Sequence, residues 1–361
     1  MKNIQATIEK TIIDIIENNG QYQSVLVGLS GGVDSAVSAW LLKEAGYKVS
    51  AVFLKCYPNT PGCKSEEDLK DAVEVASRLD IPLTTMDFIE EYRRDVLENF
   101  YQEYEKGRTP NPDILCNEKI KFGSFFDKAM KESGADYFAT GHYVRKVRNS
   151  LTRGRDEGKD QSYFLYRIPQ SALDKSIFPV GGLLKEQVRE IAQKAGLSVA
   201  DKQDSTGICF IGPVDLKDFL SERITISPGD VVTKQGDVIG THKGVWFYTI
   251  GQRHGFETKL NLPLYVIKKD VKKNHLIVGE YKDTFLSSFE VDELFWRVDQ
   301  VPDSFSSLTR VRNLGSLVPA SINLRDGTAY ISTQEPIQSI APGQSVVFYQ
   351  DEVVIGGGII K

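Results

Sequence analysis

The sequence predicts a doubly wound α/β domain built on a mostly parallel sheet, followed by a β-rich second half. Two observations carry this. From residue 24 to 140 short apolar β-prone runs alternate with longer segments of helical periodicity, the pattern of consecutive βαβ units. After Ser227-Pro228-Gly229 the chain breaks into short β-prone runs punctuated by Gly, Pro and Asn, a spacing that fits small β-barrels or sandwiches.

In chain order, Ile4, Ile8, Ile12, Ile15 and Ile16 share one helix face and are interrupted by charges, so the first 20 residues read as a packing helix and not a signal peptide. Ser24–Leu29 reads as a buried strand. Val33–Ala45 reads as a helix closed by Gly46, and Lys48–Leu54 as a second strand. A helix over Ser65–Leu79 opens with the cap pattern Ser65-Glu66-Glu67-Asp68. Leu83–Phe88 makes a third strand, Ile89–Lys106 a helix stopped by Gly107, and Asp136–Thr140 a fourth strand. The polar, Gly-containing, basic stretch 149–159 reads as a mobile loop. Helices follow over Lys185–Ala195 and Asp215–Glu222, then β-prone runs at Val231–Thr233, Gly244–Ile250, Leu276–Gly279, Ala329–Ser332 and Ser345–Tyr349.

With 361 residues, 41% hydrophobic and 26% charged, the chain is expected to be a soluble protein of two or three domains. No stretch approaches the roughly 20 apolar residues of a membrane span. The net charge of −5 excludes a wholly basic nucleic-acid coat but leaves room for local basic patches. Cys56, Cys63, Cys116 and Cys209 have no CxxC spacing and no neighbouring histidines, which argues against a zinc site and for a reducing, cytoplasmic setting.

The segment Gly28-Leu29-Ser30-Gly31-Gly32-Val33-Asp34-Ser35 lies between the first strand and the first helix of the α/β region. Paired glycines let successive N–H groups converge on an anion, the helix adds its positive end, and Ser30 and Ser35 add hydroxyls. The spacing is not that of a Walker loop. It resembles the SGGxDS loop of ATP enzymes that release pyrophosphate and leave AMP on a substrate carbonyl oxygen.

Downstream, Gly107–Phe122 holds two prolines that fix an extended backbone before Cys116. Asn117 reads as the cap of a helix over Glu118–Met130, which puts Cys116 at a positive helix end where a thiolate is favoured. Asp113, three residues upstream, is placed for proton transfer. Cys209 follows the polar, turn-forming Asp201–Gly207. Cys56 and Cys63 read as bystanders. These residues by themselves also admit a synthetase that transfers ammonia to an adenylated metabolite, or an RNA-binding nucleotide sensor without catalysis.

Five segments together are similar to one family, the tRNA-specific 2-thiouridylases: Gly28–Ser35, Gly107–Phe122, Ala139–Arg145, Lys159–Leu165 and Asp204–Gly212. Tyr248–Gly255 and Ala341–Tyr349 extend the match over nearly the whole chain. The resemblance implies an ATP-binding domain over 1–205, a central β-rich domain over 206–283 and a small C-terminal β-barrel over 284–361. It implies ATP-dependent 2-thiolation of the wobble uridine of tRNA, by adenylation of the C2 carbonyl oxygen and displacement of AMP by sulfur. Cys209 would carry the persulfide, Cys116 would be its nucleophilic partner, and Asp113 the acid/base group. ATP, with magnesium, would meet Gly28, Leu29, Ser30, Gly31, Gly32, Val33, Asp34, Ser35, Leu54 and Gly141. Leu54 stands where relatives often carry methionine. The tRNA would meet Asn111, Pro112, Asp113, His142, Lys159, Asp160, Gln161, Arg312, Asn313 and Gln344, with Asn313 replacing a tyrosine. A persulfide donor protein is the further partner implied. The basic run Arg145, Lys146, Arg148, Arg153, Arg155 and Lys159 reads as a phosphate-facing patch beside these positions.

Overall fold

The computed structural model describes residues 4–20, 23–57, 65–204, 215–260 and 262–361. Its contacts divide the chain into two units. One comprises Met1–Val96, Asp113–Pro213 and Glu352–Val354, the other Leu97–Pro112, Val214–Asp351 and Ile355–Lys361.

The first unit is the predicted α/β domain. Strands β1 (Ser24–Gly28), β2 (Lys48–Lys55), β3 (Leu83–Asp87) and β4 (Tyr137–Ala139) are followed by the hairpin β5 (Val144–Val147) and β6 (Ser150–Arg153), then β7 (Ser176–Ile177). The sheet runs β3-β2-β1-β4-β7, and every neighbouring pair in it is parallel. Side chains alternate across it. Val25, Val27, Ala51, Phe53 and Ala139 join a core with the helices α1 (Ile4–Asn19), α2 (Val33–Glu44) and Lys185–Lys194. Leu26, Val52 and Phe138 are buried on the opposite face, where Phe138 meets Phe122, Phe125 and Phe126 at ring separations of 5.7–6.1 Å. Burial on both faces is what a parallel sheet requires, and it explains why these strands read as unbroken apolar runs. The strand order reverses at β1 and β4, so the crevice beyond their carboxyl ends is where ligands are expected. The residues that follow are Leu29–Ser35 after β1 and Thr140–His142 after β4.

α1 packs on α2 and on the Lys185–Lys194 helix, with Ile8 and Ile15 buried, so its isoleucine stripe is core packing. The helix α3 (Ser65–Arg78) follows β2.

The second unit contains the aromatic helix Glu98–Glu105, whose Phe100, Tyr101 and Tyr104 pack among themselves and on Phe219. Strands β8 (Gly229–Val232), β9 (Val238–His242), β10 (Glu257–Thr258), β11 (Tyr265–Asp270) and β12 (His275–Gly279) form a sheet in the order β10-β9-β8-β12-β11. Six strands, β13 (Phe285–Trp296), β14 (Ser304–Arg310), β15 (Val318–Arg325), β16 (Thr328–Gln338), β17 (Ser345–Gln350) and β18 (Val353–Ile360), close into a barrel through the β13–β18 pairing. Its interior holds Val291, Ile322, Ile331, Val346 and Phe348.

Four local expectations need correction. The stretch 149–159 is not simply a loop: it enters the β5–β6 hairpin, which Val353 extends by pairing with Thr152. Gly244–Ile250 forms a 3-10 turn over Val245–Phe247 and no strand. There the His242 ring accepts from the Gly244 N–H and the Asn274 side chain from the Val245 N–H, so no ladder can use them. The helix expected over 89–106 contains a π-helical segment at Arg93–Leu97. The helix expected to start at Glu118 starts at Pro112, whose fixed φ suits a first helical position, and continues to Ser133 with a kink at Gly123. Asp113 therefore occupies the first turn and Cys116 lies one turn inside.

Phe138 is 1% exposed at the centre of the aromatic face. Phe138→Ala is expected to cost about 3–5 kcal/mol of stability in urea unfolding. A loss below about 1 kcal/mol would show that this face tolerates a void.

Candidate active site

The phosphate loop is assembled from β1 outward. Leu29 still donates to the Val52 carbonyl, and then Gly31 turns through φ +73°. A Cβ there would stand 2.2 Å from the Asp68 carbonyl oxygen, so only glycine lets α3 approach the loop. Gly32 occupies the N-cap of α2 and supplies no capping side chain. The first amides of a helix have no partner within it, so an outside anion is the natural acceptor at this end. Ser35 Oγ accepts from the Ser30 N–H at 3.1 Å and donates to the Gly32 carbonyl at 3.1 Å, which ties the loop to itself. Gly141 presses on the same place from β4: a Cβ would lie 2.6 Å from the Ser35 nitrogen. Leu54 is half-buried near the carboxyl end of β2. Six of the sequence-predicted nucleotide residues, Ser30, Gly31, Gly32, Asp34, Ser35 and Gly141, thus meet at one helix start.

An ion-pair network surrounds that start. Asp34 takes Lys185 Nζ at 2.7 and 2.9 Å and the Tyr143 hydroxyl at 2.7 Å. Lys185 also lies 2.7 Å from Asp204, which bonds Lys159 at 2.6 Å and Arg189 at 3.0 Å. Burial pushes the Asp204 carboxyl up, but its bonds to Lys159 and Lys185 outweigh this and hold it below its usual range. Burial, then the charge of Asp34 and its hydrogen bond, push the Tyr143 phenol far up, so it stays a donor. On the other side Lys202 donates to the Gly31 carbonyl at 3.1 Å and to Asp68 at 2.7 Å, and also pairs with Asp71. Lys185, Lys202 and Tyr143 were not singled out from the sequence. Their only signal was a lysine opening an amphipathic helix, a tyrosine inside the matched segment Ala139–Arg145, and a lysine two residues before the matched segment Asp204–Gly212.

Cys116 is completely buried, and Cys56 is buried too. Asn117 is no cap: it is buried within the helix and donates to the Phe164 carbonyl at 3.3 Å. Cys209 and Cys63 lie outside the described residues.

Of the expected tRNA positions, Gln344 donates to the Thr109 and Pro110 carbonyls at 2.9 and 3.2 Å, directly before Asn111. Thr109 in turn donates to the Pro342 carbonyl at 2.8 Å. Asn111, Pro112 and Asp113 are all partly exposed. Arg312 and Asn313 belong to the turn between β14 and β15. Lys159, Asp160 and Gln161 are engaged inward. Asp160 is fully buried and accepts from the Gly154 and Ser162 amides at 3.0 and 3.1 Å, and Gln161 accepts from the Tyr143 amide at 2.9 Å. The basic run is likewise committed: Arg145 pairs with Glu352, and Arg153 with Asp160 and Glu157. Arg155 bonds the Gly182 carbonyl at 3.2 Å. Arg148 is exposed at the hairpin turn.

His142 Nδ1 lies 2.8 Å from the Thr140 hydroxyl. Burial, then nearby Lys121, hold its ring well below the usual 6.5, so it is neutral at pH 7.

Among the described residues no three His, Cys, Asp or Glu side chains gather to hold a metal ion. The Asp34 carboxylate, the acidic group of the loop, is engaged by Lys185 and Tyr143. These residues do not form a cage for magnesium, and an ion at this place would have to be held largely by other ligands.

The geometry thus defines an α/β nucleotide-binding class with an uncapped helix at the strand-order switch. The matching family models are the tRNA methyl transferase HUP domain over residues 23–213, the tRNA methyl transferase PRC-barrel domain over 217–280 and the aminomethyltransferase beta-barrel domain over 286–360. The chain is 45% identical over 357 residues to a tRNA-specific 2-thiouridylase MnmA of Salmonella arizonae, covering 94% of this chain and 97% of that one. It is 44% identical over 363 residues to the protein of the same name from Proteus mirabilis, covering 96% and 99%. The chain belongs to the tRNA-specific 2-thiouridylase family, a family of sulfurtransferases.

Two outcomes are expected here. Gly141→Ala places a methyl against the backbone of the loop, an overpacking cost of about 1–3 kcal/mol, and should weaken ATP binding at least about tenfold in calorimetry. An unchanged affinity would separate Gly141 from the site. The second concerns pH. A histidine depressed in the folded state contributes stability that is complete above its unfolded value near 6.5 and is lost as pH falls toward its folded value. Stability in urea unfolding should fall between pH 7.5 and 5.5, and His142→Gln should remove part of that fall. An equal pH dependence in His142→Gln would assign the loss elsewhere.

Proposed function

We propose that this protein thiolates C2 of the wobble uridine of tRNA at the expense of ATP, releasing AMP and pyrophosphate. The observation that carries the reading is the uncapped start of α2 at the strand-order switch, in a chain aligned over 94% of its length with a 2-thiouridylase. Gly28–Ser35, Leu54 and Gly141 bind the nucleotide. The C2 oxygen attacks the α-phosphate, the bond to pyrophosphate breaks, and the helix start and loop amides stabilise the charge on the departing phosphates.

Sulfur arrives as a persulfide on Cys209 from a donor protein. Its outer sulfur bonds to C2, and AMP leaves with the C2 oxygen. Cys116, as thiolate, then bonds to the inner sulfur of Cys209, the sulfur–sulfur bond to the uridine breaks, and the thiocarbonyl is freed. The resulting Cys116–Cys209 disulfide is returned to thiols by a dithiol reductant. Asp113 moves the proton at the base. Asn111, Pro112, His142, Lys159–Gln161, Arg312, Asn313 and Gln344 make up the tRNA-facing set, and the reaction belongs to the cytoplasm. Because Lys159, Asp160 and Gln161 bond inward, their part is to shape the surface that tRNA meets. The domain division 1–205, 206–283 and 284–361 remains our assignment of these tasks to the chain.

Cys116→Ser and Cys209→Ser should each lower tRNA 2-thiouridine, read by nucleoside mass spectrometry, by at least about 10³-fold, while ATP affinity stays within about twofold. A serine variant that retains near-normal thiolation removes that cysteine from the mechanism.

A further inference from the structure

The phosphate loop carries a carboxylate where an anion has to sit. Asp34 is the second residue of α2, within the first turn. An uncompensated carboxylate there would occupy the helix's positive end and repel a polyphosphate. The cation that meets it is Lys185, whose Nζ touches both carboxylate oxygens at 2.7 and 2.9 Å, while the Tyr143 hydroxyl holds Oδ1 at 2.7 Å.

Lys185 is firmly placed. It opens the Lys185–Lys194 helix, its backbone N–H donates to Asp156 at 2.8 Å, and its ammonium lies 5.7 Å from the Tyr143 ring centre. Its side chain is only 12% exposed. Its second carboxylate, Asp204, already has Lys159 at 2.6 Å and Arg189 at 3.0 Å, so Asp204 is matched without it. The charge that depends on Lys185 is that of Asp34.

We propose that Lys185 is a positioning residue of the nucleotide site: by neutralising Asp34 and holding it against Tyr143, it makes the start of α2 an anion site. The proposal rests on the reading that this loop takes ATP. One uncompensated unit charge about 6 Å from the phosphates, at an effective dielectric constant of about 20, corresponds to roughly 100-fold in affinity.

The test is calorimetric titration of the full chain with ATP and with inorganic pyrophosphate, without tRNA and in EDTA, alongside thermal melts without nucleotide. Lys185→Gln should lose about 100-fold for both ligands, and Lys185→Arg should keep most of the affinity. The double variant Asp34→Asn with Lys185→Gln should recover pyrophosphate affinity to within about tenfold of wild type, because the repelling charge is gone. If Lys185→Gln fails to melt cooperatively, the double variant decides alone, since its neutral amide pair leaves no unmatched charge. Wild-type affinity in Lys185→Gln overturns the proposal. So does a double variant as weak as Lys185→Gln, which would make the ammonium a direct phosphate ligand or a purely structural group. A wild-type chain that binds ATP neither in EDTA nor with magnesium added would sink the nucleotide reading itself, an outcome distinct from either.

Discussion

The helix α2 begins without a cap, and the first unit is organised around that omission. A surface helix would normally satisfy its first amides with a serine, threonine or aspartate at the N-cap, worth about 1 kcal/mol. Gly32 forgoes this. What stands in its place is close backbone packing: Gly31 lets α3 approach, and Gly141 fills the opposite side at a distance no Cβ could share. The amides are thereby held open in a fixed direction by a frame that needs two glycines from different strands' ends. Their position at β1 and β4, where the strand order reverses, leaves the crevice clear of a crossing connection.

A second constraint operates on the segment before Cys116. Two prolines remove two of the four amide donors of Thr109-Pro110-Asn111-Pro112, so the segment cannot form a hairpin ladder of its own. Within the second unit the Thr109 and Pro110 carbonyls and the Thr109 amide are taken by the 342–344 turn, through Gln344 and Pro342. Gly343 allows this with φ +93° and a would-be Cβ only 2.9 Å from the Thr109 nitrogen. The barrel turn thus supplies from outside the hydrogen bonds that the segment cannot make for itself. This gives Gln344 a structural task on the two residues directly before Asn111 in the chain.

Much of the first unit was legible in the sequence because its central strands β1, β2 and β4 are buried on both faces and several of its helices end in glycine. Gly46 and Gly196 take positive φ where the periodic runs stop, as Gly107 does in the second unit. The phosphate loop was legible for a related reason: glycines and hydroxyls at a strand-to-helix junction have few other uses. The start of the helix carrying Cys116 was misplaced because asparagine is a common cap and outweighed Pro112 in the reading. Pro112 had the stronger local claim, since its φ is already helical and its missing N–H costs nothing at a first helical position. The Gly244–Ile250 run misled for another reason. Its apolar pattern suits a strand, but the His242 and Asn274 side chains capture its first amides before a ladder can form.

Charge was the least legible property, and the reason is physical. A run of arginines in sequence shows how many cations exist, not which carboxylates they will meet after folding. Arg153 is drawn onto the fully buried Asp160, and that carboxylate in turn ties down the Gly154 and Ser162 amides. A buried carboxylate left without its partners would be strongly destabilising, so the arginine is committed to the fold before any phosphate arrives. The same logic runs in reverse at Asp34. There the carboxylate sits on a helix start that attracts anions, and a lysine 151 residues further along the chain answers it. Separation in sequence conceals such a pair from any local reading, because neither residue has an unusual neighbourhood of its own. What identifies it is the requirement that an anion-binding helix end carry no unbalanced negative charge of its own, and that requirement becomes visible only once the fold has brought the two side chains together.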